Sequence, residues 1–124
     1  LWPARVVSRD EEGGEVQLGE NGAGARLRAV GLEADVGSKV RVGISARELM
    51  IATEDVAHLS ARNRIPAELL EIQGSGRERL LHVKLQPGLE ASVELTRQAV
   101  VDLELSPGRK VFLICKSTAL TLWS

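Results

Sequence analysis

Residues 60–66 read Ser-Ala-Arg-Asn-Arg-Ile-Pro, just ahead of the strand-like run "AELLEI". Ser60, Arg62, Asn63 and Arg64 put two cations and two neutral hydrogen-bonding side chains side by side, and the segment holds no carboxylate to neutralise them. Two readings are open. The stretch is a solvated linker, or it holds something anionic, since N–H and O–H donors with positive charge are what an anion requires. A further cation, Lys116, ends the run "VFLICK". Alternate residues of a strand share a face. Val111, Leu113 and Cys115 therefore fall on one side, and Phe112, Ile114 and Lys116 on the other. Covering Phe112 and Ile114 is worth about 3–5 kcal/mol, so the other half of the chain or another subunit is expected to lie over them. Lys116 is then either a lysine facing water at a strand end or a cation beside a face that needs a partner.

The elements that would position these residues repeat. "PARVV" at 3–7 matches "PAELL" at 66–70, an offset of 63, and "GSKVRVGISARELMI" at 37–51 matches "GRKVFLICKSTALTL" at 108–122, an offset of 71. The larger second offset places an insertion near "TRQAVVDL" at 96–103. Each half carries five short Val-, Leu- and Ile-rich runs separated by Gly-containing turns such as "DEEGGE", "GENGAG" and "QGSGRE". One short helix is expected over 97–104, with Thr96 as its cap and Leu95 and Val100 at staple positions. The expected fold is all-β, two tandem OB-like five-stranded Greek-key barrels with one short helix in the second half. The expected division is a first subdomain at 1–54, a linker at 55–60 and a second subdomain at 61–124. About 60 residues per half is marginal for independent folding, so the halves should pack together or dimerise.

Composition narrows the chemistry. Lys and Arg number 16 against 17 Asp and Glu, a net charge of −1, which argues against broad capture of nucleic acid or anionic membrane. The aromatic residues are Trp2, Phe112 and Trp123, too few for a base-stacking platform. Cys115 is the lone cysteine, which excludes an intrachain disulfide and a CxxC knuckle, and it reads as a small core hydrophobe. His58 and His82 are isolated, so no metal site is expected; His58 is placed in a solvated linker and His82 on the polar side of a strand. No Ser–His–Asp arrangement is legible, and no catalytic residue is assigned. The chain begins at Leu1 rather than Met, which points to a segment of a longer polypeptide, and with no signal-peptide pattern an intracellular setting is expected.

"SARNRIPAELLEI" followed by "TRQAVVDLELSPGRKVFLICKSTAL" closely resembles the Mop family of molybdate- and tungstate-binding domains, and "VRVGISARELMIATE" resembles the companion TOBE domain. Together they resemble the C-terminal regulatory region of the ATP-binding subunit of molybdate ABC transporters. The resemblance implies OB-type barrels, a homodimer, and oxyanion sites between domains or subunits. It also implies an ATPase domain and membrane subunits as partners in the full-length complex, on the cytoplasmic face of the membrane. Carried onto this chain, the oxyanion-binding residues are Ser60, the backbone N–H of Ala61, Arg62, Lys116 and Ser117, with Phe112 and Ile114 at the interface. Asn63 is given a structural role in the turn, and Arg64 is expected to be exposed. No covalent cofactor is implied; the ligand is molybdate or tungstate. Such a tetrahedral dianion offers acceptors only, so its site needs donors and positive charge without carboxylates, and Arg62 and Lys116 would balance its charge. The first half receives no such site: Ser45 stands where the second half has Lys116, and Arg47 is a poor substitute. The GxxxxGK[ST] phosphate loop is absent, so the fragment is not expected to hydrolyse ATP. Two other readings remain, a ligand-free dimerisation module and a molbindin-like storage protein.

Overall fold

Alternation of side chains sets the strands. Along β6 (Asn63–Gln73), Asn63, Ile65, Ala67 and Leu69 are buried while Arg64 and Pro66 are exposed. Along β4 (Lys39–Gly43), Val40 and Val42 are buried while Lys39 and Arg41 are exposed. In the computed structural model, which describes residues 1–22 and 24–123, this pattern gives ten strands, one α-helix and one 3₁₀ turn.

The remaining strands are β1 (Trp2–Arg9), β2 (Gly13–Leu18), β3 (Arg26–Val30), β5 (Met50–Ala52), β7 (Glu78–Gln86), β8 (Leu89–Thr96), β9 (Lys110–Cys115) and β10 (Thr121–Trp123). The first sheet runs β10-β4-β1-β2-β3 and the second β5-β9-β6-β7-β8. In each sheet three hairpin-linked strands are joined by a fourth that returns beside the first, which is the Greek-key order. The register bears out the repeat: Pro3 lies opposite Arg41 and Pro66 opposite Phe112, so the offsets of 63 and 71 recur as strand pairings. A bulge falls between Val6 and Ser8 in one half and at the matching place, between Leu69 and Glu71, in the other.

The halves exchange their last strands. β5, from the first half, pairs with β9, and β10, from the second half, pairs with β4. The chain division at 55–60 therefore separates the sequence but not the sheets. Gly43 eases one exchange: a Cβ there would come within 2.6 Å of the Trp123 ring, so glycine lets the tryptophan lie over β4 without being displaced.

Side-chain hydrogen bonds also tie the sheets together. Trp2 Nε1 at the start of β1 donates to the Glu90 carbonyl on β8 (2.9 Å), and Asn63 at the start of β6 binds Arg28 on β3. The shared core includes Val6, Leu18, Leu27, Leu69, Val83 and Leu113, each at most 1% exposed. Each such side chain contributes about 1.5–3 kcal/mol through burial. The insertion forms α1 (Arg97–Asp102), shorter than the expected 97–104; the Thr96 hydroxyl accepts from Ala99 N (3.1 Å), and Leu95 and Val100 pack against the core.

The outer face of β9 differs from expectation. Ile114 is only 5% exposed, flanked in register by Met50 of β5 and Arg64 of β6, so it is covered within one chain. Phe112 is half-buried and lines a groove of about 370 Å³ with Pro66, Leu85 and Pro87. Of the two residues assigned to a subunit interface, Phe112 alone keeps appreciable surface. The exchanged strand β5 sets the difference, since it places Met50 opposite Ile114 but the small Ala52 opposite Phe112.

Candidate anion-binding cleft

Two segments that lie far apart in the sequence meet at β3. Asn63 is the buried polar residue of the core, at 2% exposed. Its Oδ1 accepts from Arg28 N (2.5 Å) and its Nδ2 donates to Arg28 O (2.9 Å), so its role is to lock the Ser60–Asn63 segment to β3 rather than to shape a turn. Ala61 is buried beside it. The segment after β9 turns at Ser117–Ala119, where Ala119 N donates to the Lys116 carbonyl (3.0 Å), and this turn also packs on β3.

An open cleft of about 670 Å³ results, lined on one side by Ser60, Arg62 and Ser117. Three of the expected oxyanion residues are thus brought together. Lys116 is exposed at the head of the same turn but does not line the cleft, and Ala61 lies buried behind it. The side chains of Ser60, Arg62, Lys116 and Ser117 have no hydrogen-bond or ion-pair partner among the described residues.

Arg64, by contrast, is engaged. Its guanidinium pairs with the Asp55 carboxylate and donates to the Val56 carbonyl (3.0 Å), tying the linker to β6. It is neither a ligand candidate nor a freely solvated cation. The two arginines of the 60–66 segment therefore serve different ends.

The opposite wall was not legible in the sequence. It consists of Asp10 and Glu12 at the β1–β2 turn, Glu15 on β2, and Arg28 and Val30 on β3. The expectation of a site without carboxylates is corrected here: Arg28 and Arg62 face three carboxylates. These acids come from "DEEGGE", far upstream in the chain, and read in isolation only as a turn. The signal that could have found them is the β2–β3 register, which sets Glu15 opposite Arg28, the residue Asn63 holds. Arg28 Nη2 lies 2.6 and 2.7 Å from the two Asp10 oxygens. This hydrogen bond is the main cause that holds the Asp10 carboxyl below its usual range, with the Gly13 and Glu12 N–H groups helping. Cys115, paired in register with Asn63, is buried; loss of solvation pushes its thiol up to about 11 against a smaller opposing pull from the Asn63 hydrogen bond. It is a neutral core thiol.

The other histidine and arginine candidates are accounted for. His82 is half-buried, with Nε2 3.3 Å from Gln73 Oε1 and Nδ1 3.3 Å from Ser92 Oγ. His58 is exposed in the linker. Arg47 is paired with Glu94 (3.4 Å). Among the described residues no cluster of His, Cys, Asp and Glu could hold a metal ion, and no helix is long and apolar enough to cross a membrane.

Two OB-like five-stranded sheets that share their last strands, with a donor-rich cleft where they meet, define a β-barrel binding module. A TOBE domain model matches residues 59–122, more than half of the chain. The chain belongs to the TOBE domain family. It is similar to the molybdenum import ATP-binding protein ModC of Thiobacillus denitrificans, at 35% identity over 79% of this chain and 27% of that protein. It is also similar to ModC of Mesorhizobium japonicum, at 34% identity over 93% of this chain and 30% of that protein. The molybdate/tungstate import ATP-binding protein WtpC of Pyrococcus abyssi matches at 30% identity over 74% of this chain and 26% of its own. The chain thus spans about a quarter to a third of the length of these relatives. The crystal structure of the cytoplasmic molybdate-binding protein ModG with molybdate bound superposes with a TM-score of 0.87 at 23% identity, over 98% of this chain and 93% of that one. That likeness shows the shared fold.

Proposed function

We propose that this chain is the oxyanion-sensing regulatory part of the ATP-binding subunit of a molybdate or tungstate importer, working as a homodimer on the cytoplasmic side of the membrane. The ATPase domain of the same subunit and the transporter's membrane subunits are its partners in that assembly. Residues 1–54 serve as the TOBE-like subdomain and 61–124 as the Mop-type subdomain, joined by 55–60. The observation that carries this reading is the convergence of Ser60, Arg62 and Ser117 on one cleft with no internal partners among the described residues. The import ATPases to which the chain is similar support the choice of anion.

Ser60 and Ser117 donate through their hydroxyls, Ala61 through its backbone N–H, and Arg62 and Lys116 supply charge. Each charge-assisted hydrogen bond contributes about 1.5–3 kcal/mol, so about four or five give micromolar binding or tighter after the cost of association. Within one chain the carboxylates of the cleft outnumber its arginines. A dianion is therefore poorly matched there unless cations from a second copy join Arg62. Binding then favours the subunit arrangement in which these donors converge, and through it biases the transporter.

Calorimetric titration of the chain with molybdate, tungstate and sulfate tests this. Binding of molybdate or tungstate well above sulfate is expected, with Arg62→Ala and Lys116→Ala each weakening it by at least about tenfold. Arg47→Ala leaves it unchanged, because that cation is already paired with Glu94. The acidic wall favours a second reading, a dimerisation module without ligand. An absence of heat with either anion, and a dimer indifferent to both, would establish that reading instead.

A further inference from the structure

Arg28 shares the cleft with Ser60, Arg62 and Ser117, and its use of its own donors is incomplete. We propose that Arg28 is a further anion-binding residue, held in reserve by Asp10. The proposal rests on the reading of this cleft as an oxyanion site.

The geometry has three parts. First, Asn63 grips both the N–H and the carbonyl of Arg28, so the backbone from which Arg28 projects is fixed to the segment that carries Ser60 and Arg62. Second, Arg28 reaches Asp10 through Nη2 alone; the N–H groups of Nε and Nη1 have no partner among the described residues. A guanidinium presents its donors as a planar fork, so one edge can serve a carboxylate while others serve a second acceptor. Third, Asp10 is itself anchored, accepting from Glu12 N and Gly13 N at 3.0 Å each. Its carboxylate is therefore placed by its own turn. An anion entering the cleft competes with Asp10 for the guanidinium. Asp10 thereby sets how much of the Arg28 charge the ligand receives.

The test is calorimetric titration of the full chain with tungstate, comparing wild type, Arg28→Gln, Asp10→Asn and the double variant. Both substitutions spare the scaffold. Asn63 holds only the backbone of Arg28, and Asp10→Asn keeps a side-chain oxygen for the Glu12 and Gly13 N–H groups. Matching thermal unfolding midpoints would verify this. Arg28→Gln is expected to weaken binding by about tenfold and Asp10→Asn to tighten it by about threefold or more. The tightening disappears in the double variant, because Asp10 acts through Arg28. Unchanged affinity in Arg28→Gln or in Asp10→Asn overturns the proposal. So does a gain from Asp10→Asn that survives in the double variant, since plain charge repulsion would then explain it. If neither wild type nor any variant takes up tungstate, the oxyanion reading of the cleft falls as well. Binding by wild type that Arg28→Gln leaves intact removes Arg28 alone.

Discussion

The internal repeat produces two clefts on one backbone plan, and they differ in what their side chains are free to do. The cleft at Ser60, Arg62 and Ser117 has a counterpart of about 420 Å³ lined by Trp2, Ala46, His82, Glu90 and Ser92, together with apolar residues such as Val42 and Leu49. Ala46 stands where the second copy of the repeat has Ser117, and Ser45 where it has Lys116. The Glu15–Arg28 pair of the β2–β3 register becomes His82–Ser92 in β7–β8. In the counterpart His82 is bonded to Ser92 and Gln73 and Trp2 Nε1 donates to the Glu90 carbonyl, while Arg47, outside its lining, is paired with Glu94. One cleft therefore keeps unpartnered donors and the other has satisfied its own. Backbone geometry supplies the concavity in both. The chemistry is set by which side chains lack an internal partner.

The largest expected effect comes from breaking the lock that builds the first cleft. Asn63→Ala removes two hydrogen bonds to the Arg28 backbone and leaves its N–H and carbonyl without those partners. Leaving a buried polar group unsatisfied costs about 1–3 kcal/mol, so a loss of about 2–4 kcal/mol in urea unfolding is expected, and anion binding should weaken with it. A loss below about 0.5 kcal/mol, the low end for a single hydrogen bond, would mean that the two sheets hold together without this contact, and that the clefts differ less in architecture than Asn63 implies.

The next contrast is between Cys115 and Ile44, which the repeat makes equivalent. Burial raises the Cys115 thiol from its ordinary 9.0 to about 11. Folding thus favours the protonated form. The associated stability is fully present below pH 9, and it is lost as pH rises from about 9 through about 11. At about 1.4 kcal/mol per pKa unit, the loss approaches about 2–3 kcal/mol. Urea unfolding at pH 8.5 and pH 11 should show wild type losing that much more than Cys115→Val, in which the apolar character of Ile44 is restored. Parallel losses in the two proteins would show that Cys115 is not the group that titrates.

Much of this was legible in the sequence, and what was not has a common cause. The strand count, the repeat offsets, the Thr96 cap and the residues Ser60, Arg62 and Ser117 all follow from local pattern or motif, because side-chain alternation and capping are local effects. The strand exchange was not legible, since "LMIAT" has the same pattern whichever sheet it joins. The acidic wall was missed for the same reason: Asp10, Glu12 and Glu15 come to share a cleft with Arg62 only through the packing of β3 against β6. Arg64 and Arg62 look alike in the chain, and it is Asp55, earlier in the linker, that separates a tether from a free cation. Long-range pairing decides each of these, and local propensity carries no record of it.

The smallest effect concerns how the exchanged strands fit. In the first sheet Gly43 meets a large neighbour, the Trp123 ring; in the second the equivalent positions are held by Ile114 and Ala52, and Ile114 pairs in register with Met50. The glycine–tryptophan fit therefore belongs to the first sheet. Gly43→Ala places a Cβ 2.6 Å from the Trp123 ring and 2.9 Å from Leu1. Trp123 is 49% exposed and can swing outward, so the overpacking cost stays at the low end, about 1 kcal/mol. Adding Trp123→Ala removes the clash, and the cost of Gly43→Ala should vanish in that background. A double-mutant cycle by urea unfolding that instead gave simple additivity would mean that Gly43 is not selected for this fit, and that some other feature of β4 admits β10.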